Sequence, residues 1–192
     1  MKPKNKFFIA VASFFTVALT LTLVPRFVKN ITVKGDEPSY SITLDASDKF
    51  TSAEQSAHQF TRKTALGNDV VFVTNSVASR SESEYFCQIS PGTTSWLRNS
   101  DPINGITSIT ITHDLKLDNC KYSVSGGYTY DNYFDTKTYA PGAHKSNETL
   151  KFVFEKPVNY FSINNLYADA GTYIRTLVIE FSCTPGAPEQ VV

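Results

Sequence analysis

Residues 173–183 read YIRTLVIEFSC, and this stretch decides the fold class. Leu177, Ile179, Phe181 and Cys183 fall on one side of an extended chain, and polar residues occupy most of the alternate positions. A period of two residues is typical of a β-strand that buries one face and exposes the other. The stretch therefore predicts a strand that packs against a second layer.

The same kind of pattern recurs along the chain before this strand. Short apolar or alternating runs occupy residues 40–44, 70–74, 85–89, 106–111, 150–154 and 158–163. Turn-forming residues separate them, as at Gly67-Asn68, at Pro91-Gly92 and in residues 101–105. Seven or more short strands with turns between them predict an all-β protein, built as an antiparallel sandwich or barrel.

Helical signals are few. Residues 52–58 predict one or two helical turns, with Ser52 as the N-cap and Glu54 in the first turn. We place the β-domain at residues 39–183, after a stalk at residues 27–38 that lacks sustained periodicity. The Pro-containing residues 184–192 lose the alternation and predict a disordered tail.

The N-terminus has the pattern of an export signal. Lys2, Lys4 and Lys6 precede an uncharged run at residues 7–24, which Pro25 ends. As a helix with a rise of about 1.5 Å per residue, such a run spans about 27 Å, close to the thickness of a bilayer core. We therefore expect an N-terminal hydrophobic helix in residues 1–26 that carries the rest of the chain across a membrane.

Two fates remain open for this segment. A cleaved signal peptide normally ends in small residues, and the nearest candidate, Ala18-Leu19-Thr20, is a poor match. An uncleaved anchor is therefore favoured over a cleaved peptide, and we expect the domain either anchored at the extracellular face of the membrane or secreted. Basic residues flank the run on both sides, so the charge pattern does not decide its orientation.

The overall charge argues against nucleic acid as a partner. Eighteen basic and eighteen acidic side chains give a formal charge of zero over 192 residues. A chain of this composition has no net field to attract a polyanion. Its length is that of one domain once a leader is subtracted.

The residues expected of a hydrolase are scattered. The histidines are His58, His113 and His144, and no G-x-S-x-G motif accompanies them. His113 and Asp114 end a predicted strand, where capping of a turn is the favoured interpretation. Asp131 and Asp135 are a candidate pair for glycoside hydrolysis, although their polar segment favours solvated loop acids. We therefore predict no enzymatic activity and no catalytic residues.

Metal and thiol signals are also weak. The segment around Asp131 lacks the glycine and terminal glutamate of a calcium loop, and no C-x-x-C motif is present. We predict no cofactor, with a structural calcium left open. Cys87, Cys120 and Cys183 allow three single pairings or none, and burial as a small apolar side chain is favoured for Cys183.

Aromatic residues supply the strongest functional signal. Tyr128, Tyr130, Tyr133 and Tyr139 lie among Gly, Asp, Asn and Thr in residues 126–145, and Trp96 is the only tryptophan. Aromatic rings can stack on the apolar face of a sugar while nearby polar groups bind its hydroxyls. The competing interpretation is ordinary cross-strand packing, which the strand preference of tyrosine favours. These five residues are our candidate ligand-binding set.

Three segments carry a resemblance to a known kind of domain. Residues 159–163 (NYFSI), residues 174–183 and residues 105–111 (GITSITI) resemble strands of jelly-roll β-sandwiches of the galactose-binding or carbohydrate-binding-module type. Such domains occur in secreted proteins of low-GC Gram-positive bacteria, often appended to a catalytic domain. The resemblance implies a fold over residues 39–183 and transfers no binding residue, because the sites in that family vary by loop.

The sequence thus predicts an exported, non-catalytic module that binds carbohydrate or another cell-surface polymer. The alternative is a structural or interaction domain that binds a partner protein in the cell envelope. The membrane is expected as a further partner through residues 7–24.

Overall fold

The computed structural model describes residues 32–34, 37–64, 66–78 and 84–182, and for residues 32–34, 37, 38 and 78 it describes the backbone alone. Thirteen strands, one α-helix and one 3-10 turn lie in this part of the chain. The strands are β1 (Thr32–Lys34), β2 (Glu37–Leu44), β3 (Gln59–Lys63), β4 (Asp69–Thr74), β5 (Val77–Ala78), β6 (Cys87–Ile89), β7 (Trp96–Asn99), β8 (Ile106–Asp114), β9 (Tyr122–Thr129), β10 (Asn132–Tyr139), β11 (Glu148–Val158), β12 (Tyr160–Asn165) and β13 (Thr172–Ser182). The helix α1 is Ser52–Ala57, and the 3-10 turn is Ala46–Asp48.

The strands form two antiparallel sheets. In the seven-stranded first sheet, β13 pairs with β8 along one edge and with β2 and then β6 along the other. Strand β11 extends this sheet beyond β8, β1 lies beside β2, and β5 lies beside β6. The second sheet has six strands in the order β10-β9-β12-β7-β4-β3. The prediction of an antiparallel all-β domain is confirmed.

The deciding stretch is the central strand of the first sheet. Leu177, Ile179 and Phe181 are buried, and Thr176 and Glu180 between them are partly exposed, as the alternation predicted. Apolar residues from the facing strands complete one continuous core between the sheets. Burial of such side chains is worth about 1.5–3 kcal/mol each, so the core supplies much of the stability of the fold.

The N-cap of the helix lies one residue earlier than predicted, so the helix starts at Ser52 itself. Thr51, and not Ser52, is the N-cap: its hydroxyl accepts a hydrogen bond from the Glu54 backbone N–H at 3.1 Å. The Glu54 carboxylate in turn accepts one from the Thr51 backbone N–H at 2.9 Å. Only Thr51 can close this reciprocal capping box, because the glutamate must lie three residues after the cap. Ser52 is instead the first helical residue.

The first sheet begins earlier than the sequence pattern indicated. Thr32–Lys34 pairs with residues 37–39 inside the segment predicted as a stalk, which lacks the alternation used to find strands. The predicted leader helix, the tail at 184–192 and Cys183 lie outside the described residues. Among the described residues, no helix is both long and apolar enough to cross a membrane.

Candidate functional site

Alternation along β7 puts two large polar and aromatic side chains on the outer surface of the second sheet. Leu97 and Asn99 face inward and are fully buried, so Trp96 and Arg98 face outward. Both outward residues are half-buried. In the adjacent strand β12, Asn164 lies opposite Trp96 and Ser162 opposite Arg98.

Arg98 is at the centre of this surface. Its Nε donates a hydrogen bond to Ser162 Oγ at 3.0 Å. Its guanidinium carbon lies over the ring of Trp96, 4.3 Å from the centroid, and over the ring of Tyr133, 5.3 Å from the centroid. Stacking on two rings and one directed hydrogen bond limit the rotamers of a long side chain, so the cation is held in place before any ligand arrives.

Small polar side chains lie next to these three residues. Ser162 Oγ donates to Asn164 Oδ1 at 3.0 Å, and Asn164 Nδ2 approaches Ser123 Oγ at 3.5 Å. Thr136 of β10 donates to Ser125 of β9 at 2.9 Å. We call this surface the Trp96 face. Its members are Trp96, Arg98, Ser123, Ser125, Tyr133, Thr136, Tyr160, Ser162 and Asn164.

Two buried amides hold the ends of the strands that carry the face. Asn99 accepts a hydrogen bond from the Phe161 N–H at 2.7 Å and donates to the Asn159 carbonyl at 2.9 Å. Asn165 donates to the Tyr167 carbonyl at 2.6 Å. Buried amides with satisfied hydrogen bonds fix loop ends, so the spacing of β7 and β12 is set from within the core.

Tyr133 reaches the face because Gly127 lies opposite it in the β9–β10 hairpin. A Cβ atom on Gly127 would come within 2.0 Å of the Asn132 carbonyl oxygen, so only glycine permits this close approach. The Tyr133 hydroxyl is buried without a hydrogen-bond partner in the described residues. Burial raises the pKa of Tyr133 to about 12, against the opposing effect of the Arg98 cation. The phenol is therefore neutral at physiological pH.

Of the other predicted aromatic residues, Tyr130 lies at the border of the Trp96 face and Tyr128 lies away from it. Tyr130 contacts Tyr160 edge-on, with ring centroids 6.2 Å apart, and Tyr160 lies opposite Gly127 at the border of the Trp96 face. The ring of Tyr128 packs on that of Phe134, with the ring centroids 4.7 Å apart. Strand alternation puts Tyr128 on the side of β9 opposite to Gly127. These contacts separate Tyr128 from Trp96.

Tyr139 faces the interior edge of the sandwich. Its ring centroid is 5.1 Å from that of His113 and 5.5 Å from that of Tyr122, and its hydroxyl donates to Glu148. The structure thus brings together Trp96, Tyr133 and, at the border, Tyr130, while Tyr128 and Tyr139 lie elsewhere. Sequence reasoning missed Arg98, Tyr160, Ser162 and Asn164. Only their alternation with buried neighbours in β7 and β12 would have indicated them.

The histidines are not arranged for catalysis. His113 is fully buried, with Nδ1 2.9 Å from the Tyr122 hydroxyl, and burial lowers its pKa below the usual value. His144 is exposed and lies 3.0 Å from Asp118. Neither pair places a histidine against a serine or cysteine nucleophile. His58 caps the C-terminus of α1 in the left-handed conformation, with φ at 54°.

Asp114 has a structural function different from the turn cap predicted for it. Asp114 is buried at the end of β8. Its carboxylate accepts hydrogen bonds from the Tyr85 hydroxyl at 2.5 Å, from the Ser146 hydroxyl at 3.1 Å and from the Asn147 N–H. It also pairs with Arg175 at 2.8 Å. These donors together outweigh desolvation and hold the pKa of Asp114 at about 2. The residue ties a loop to two strands.

Asp131 and Asp135, the candidate acid pair, lie in different environments, one exposed and the other buried. Asp131 is exposed in the β9–β10 turn, as expected of a solvated acid. Asp135 is only 7% exposed, contrary to the prediction, because β11 packs over it. Its carboxylate accepts the Glu155 N–H at 2.7 Å and pairs with Lys137 at 2.7 Å, and these contacts lower its pKa. Both oxygens are committed to structural contacts.

Thiols and metal ligands add no second site. Cys87 and Cys120 are buried and unpaired, and burial raises the pKa of the Cys87 thiol. Within the described residues, no group of three or more His, Cys, Asp or Glu side chains is placed to hold a metal ion.

No protein-family model and no curated protein sequence matches the chain. Solved structures with a similar fold include a family two carbohydrate esterase from Cellvibrio japonicus, at 11% identity and a TM-score of 0.44. That match covers 74% of this chain and 34% of the esterase chain, so this chain spans about a third of the esterase.

Two further similar structures are spanned almost completely. The C-terminal carbohydrate-binding module CBM6 of LamC, a marine laminarinase from Zobellia galactanivorans, matches at 9% identity and a TM-score of 0.33, over 72% of this chain and 98% of that one. The K3 cleaved adhesin domain of Lys-gingipain from Porphyromonas gingivalis w83 matches at 11% identity and a TM-score of 0.37, over 74% and 98%. These identities and TM-scores are low, so the ligand of this chain is inferred from its own residues.

Proposed function

We propose that this chain is a non-catalytic module that binds carbohydrate, or another cell-surface polymer, through the Trp96 face. The observation that carries the proposal is the outward cluster of Trp96, Arg98 and Tyr133, which is held on paired strands and surrounded by hydroxyl and amide groups. In fold terms, we propose a jelly-roll, galactose-binding-like sandwich of the kind found in secreted proteins of low-GC Gram-positive bacteria.

The chemistry of this face suits a sugar. A pyranose presents apolar C–H patches that pack on aromatic rings, and its hydroxyls need donors and acceptors at the edge of those rings. Half-buried Trp96 supplies a ring, and half-buried Arg98 and Asn164 supply donors and an acceptor beside it. Because the residues sit on hydrogen-bonded strands, binding has little backbone ordering to overcome.

Absence of catalysis is part of the proposal. Asp114 and Asp135, two of the acids whose pKa values are lowered, are held by structural hydrogen bonds and ion pairs. A general acid or nucleophile must keep an oxygen within reach of its substrate. Incubation of the purified chain with the glycans it binds should release no reducing ends, and release would contradict a purely binding role.

We further propose that the module acts outside the cell. The three N-terminal lysines and the apolar run at residues 7–24 support export, with retention at the outer face of the membrane or secretion as the two outcomes. Sequencing the N-terminus of the mature protein distinguishes them. A start at Met1 supports the anchor, and a start near residue 21 or 26 supports a cleaved signal peptide.

A glycan array probed with the full chain tests the binding role. Trp96→Ala and Tyr133→Ala should abolish retention, because each removes a ring from the face. Tyr128→Ala is the matched control, since it removes an aromatic from the same hairpin without touching Arg98. Loss of binding with Tyr128→Ala but not with Trp96→Ala would place the site elsewhere.

The second candidate is a protein–protein contact. Phe134 is 49% exposed and Tyr128 is 39% exposed, and their rings pack together at a tilt of 45° on the side of the hairpin away from the Trp96 face. Exposed aromatic pairs of this kind are enriched in protein interfaces. Phe134→Ser should then disrupt a complex with a defined envelope partner and leave glycan retention unchanged.

A further inference from the structure

The arginines in the described part of the chain differ in whether a carboxylate pairs with them. Arg62 pairs with Glu54 at 2.9 Å and lies 3.7 Å from Asp48. Arg175 pairs with Asp114 at 2.8 Å and also with Glu84. No described carboxylate lies within ion-pair distance of Arg98. A fixed, half-buried guanidinium without a counter-charge is a site prepared for an anion.

The geometry of Arg98 leaves its strongest donors available. Its one hydrogen bond to a described residue uses Nε, so neither Nη nitrogen has a protein acceptor there. The guanidinium carbon also lies over the rings of Trp96 and Tyr133. Guanidinium N–H bonds point outward in its plane, so stacking leaves them free to form two parallel hydrogen bonds with a carboxylate.

The charges around Arg98 do not neutralise it. Arg98 is the one cation among the members of the Trp96 face, and nearby Lys137, which lies opposite the buried Val124, is held at 2.7 Å by Asp135. Asp131 is near enough to help raise the pKa of Tyr133, but it is exposed in the turn and forms no ion pair with Arg98. A single positive centre beside two aromatic rings is suited to binding the carboxylate of one sugar residue of a ligand.

Resting on the proposed function, we propose that the ligand is an acidic glycan, and that the carboxylate of a uronic acid residue binds the Nη atoms of Arg98. The neighbouring groups then have defined tasks. The part of the Trp96 ring that Arg98 leaves uncovered packs against the sugar ring, Asn164 bonds a hydroxyl, and Ser162 orients Arg98 through Nε.

The decisive experiment compares one polymer in two states of charge. Oligomers of galacturonate and of glucuronate are titrated against the full chain, and so are the same oligomers after chemical reduction of the carboxyl groups to neutral alcohols. We expect the reduced forms to bind at least ~10-fold more weakly, the effect of losing a charge-assisted, bidentate contact. A sulfated neutral glycan serves as a further arm, and preferential binding to it would overturn the assignment to a carboxylate.

Charge variants distinguish a specific contact of Arg98 with the ligand carboxylate from non-specific electrostatic attraction. Arg98→Gln should weaken binding of the acidic oligomers to the level of their reduced forms, and Arg98→Lys should restore only part of it because an ammonium cannot bind bidentately. Lys156→Gln is the matched control, since it removes one positive charge from an exposed position of β11 in the other sheet. Equal losses in Arg98→Gln and Lys156→Gln would overturn the inference in favour of non-specific electrostatics.

The outcomes also distinguish this inference from the function on which it rests. If acidic and reduced oligomers bind equally and Trp96→Ala abolishes both, the face binds glycans and the uronate assignment is wrong. If neither form binds and the glycan array shows no retention, both proposals fail. Circular dichroism and thermal unfolding of each variant ensure that a loss of binding is not a loss of fold.

Discussion

The guanidinium carbon of Arg98 lies 4.3 Å from the centre of the Trp96 ring. Since Trp96 is the only tryptophan of the chain, its fluorescence reports on the candidate site and on nothing else. A ligand that packs on the ring removes water from it and should shift the emission to shorter wavelength. Arg98→Gln uncovers the ring and should shift the emission of the free protein to longer wavelength.

Tyr128→Ala is the control for the fluorescence measurement, because Tyr128 contacts Phe134 and not the Trp96 face. It should leave both the free and the bound spectra unchanged. Binding of a glycan without any change in the Trp96 emission would show that the ligand occupies another surface.

The close approach at Gly127 should be the most sensitive backbone position near the site. Gly127→Ala sets a methyl group against the Asn132 carbonyl and should lower the free energy of unfolding by about 2 kcal/mol or more while displacing Tyr133. Gly142→Ala is the matched control, since a Cβ there meets nothing within 4 Å. Urea denaturation of both variants measures the difference, and equal stabilities would contradict the described hairpin geometry.

Stability should depend on pH through His113. Burial lowers its pKa below the usual value of 6.5, so the unfolded chain binds a proton more readily than the folded one. The contribution of His113 to the free energy of unfolding is therefore fully present above about pH 6.5. It is lost as the pH falls toward the lowered pKa of the folded state, by at most ~1.4 kcal/mol per pH unit. Urea denaturation between pH 8 and pH 4.5 measures the slope.

The groups that act on His113 are Tyr122, Tyr139 and the carboxylates of Glu148 and Asp114. The carboxylate of Glu148 opposes the effect of burial, since it favours the protonated ring. His113→Gln should flatten the slope in this pH range, and Glu148→Gln should steepen it. An unchanged slope in His113→Gln would assign the pH dependence to another group.

Asp114 should be a major contributor to stability. Asp114→Asn leaves the shape intact but removes the charge that binds Tyr85 and Arg175, and we expect a loss of about 3 kcal/mol, at the low end for buried ion pairs because Arg175 is partly exposed. Asp169→Asn, at an exposed position, should change stability by less than about 0.5 kcal/mol. Denaturant unfolding at pH 7 compares the two variants, and a similar small effect in both would refute the network.

The same carboxylate adds a second pH range. The pKa of Asp114 is lowered from 3.8 to about 2 in the folded state, so its contribution is present above about pH 3.8 and is lost as the pH falls toward 2. Between about pH 3.8 and pH 2, the free energy of unfolding should therefore fall less in the Asp114→Asn variant than in the unmodified protein.

The thiols of Cys87 and Cys120 should not react in the native protein. Both are buried, and a raised pKa keeps the Cys87 thiol protonated and poorly nucleophilic. Treatment with iodoacetamide before and after denaturation, followed by peptide mass mapping, should label them only after unfolding. Labelling of either peptide in the folded protein would contradict their burial.

The strands could be predicted because their signal is local. Alternation in residues 173–183 decides which side chains face the core, and the structure confirms this at Leu177, Ile179 and Phe181. Each strand carries its own burial pattern, whatever strand it pairs with. The predicted aromatic set also contained two members of the Trp96 face, because tryptophan and tyrosine mark surfaces that are partly apolar and partly polar.

The site itself depended on strand pairing, which no local pattern encodes. Arg98 meets Ser162 across 64 positions of sequence, and Tyr133 joins them only through the hairpin at Gly127. Non-local packing also buried Asp135, which its polar segment had marked as solvated. The sequence by itself determined which faces of the strands are apolar. Only the tertiary structure decided which polar side chains share a face, because that depends on which strands are neighbours in the sheet.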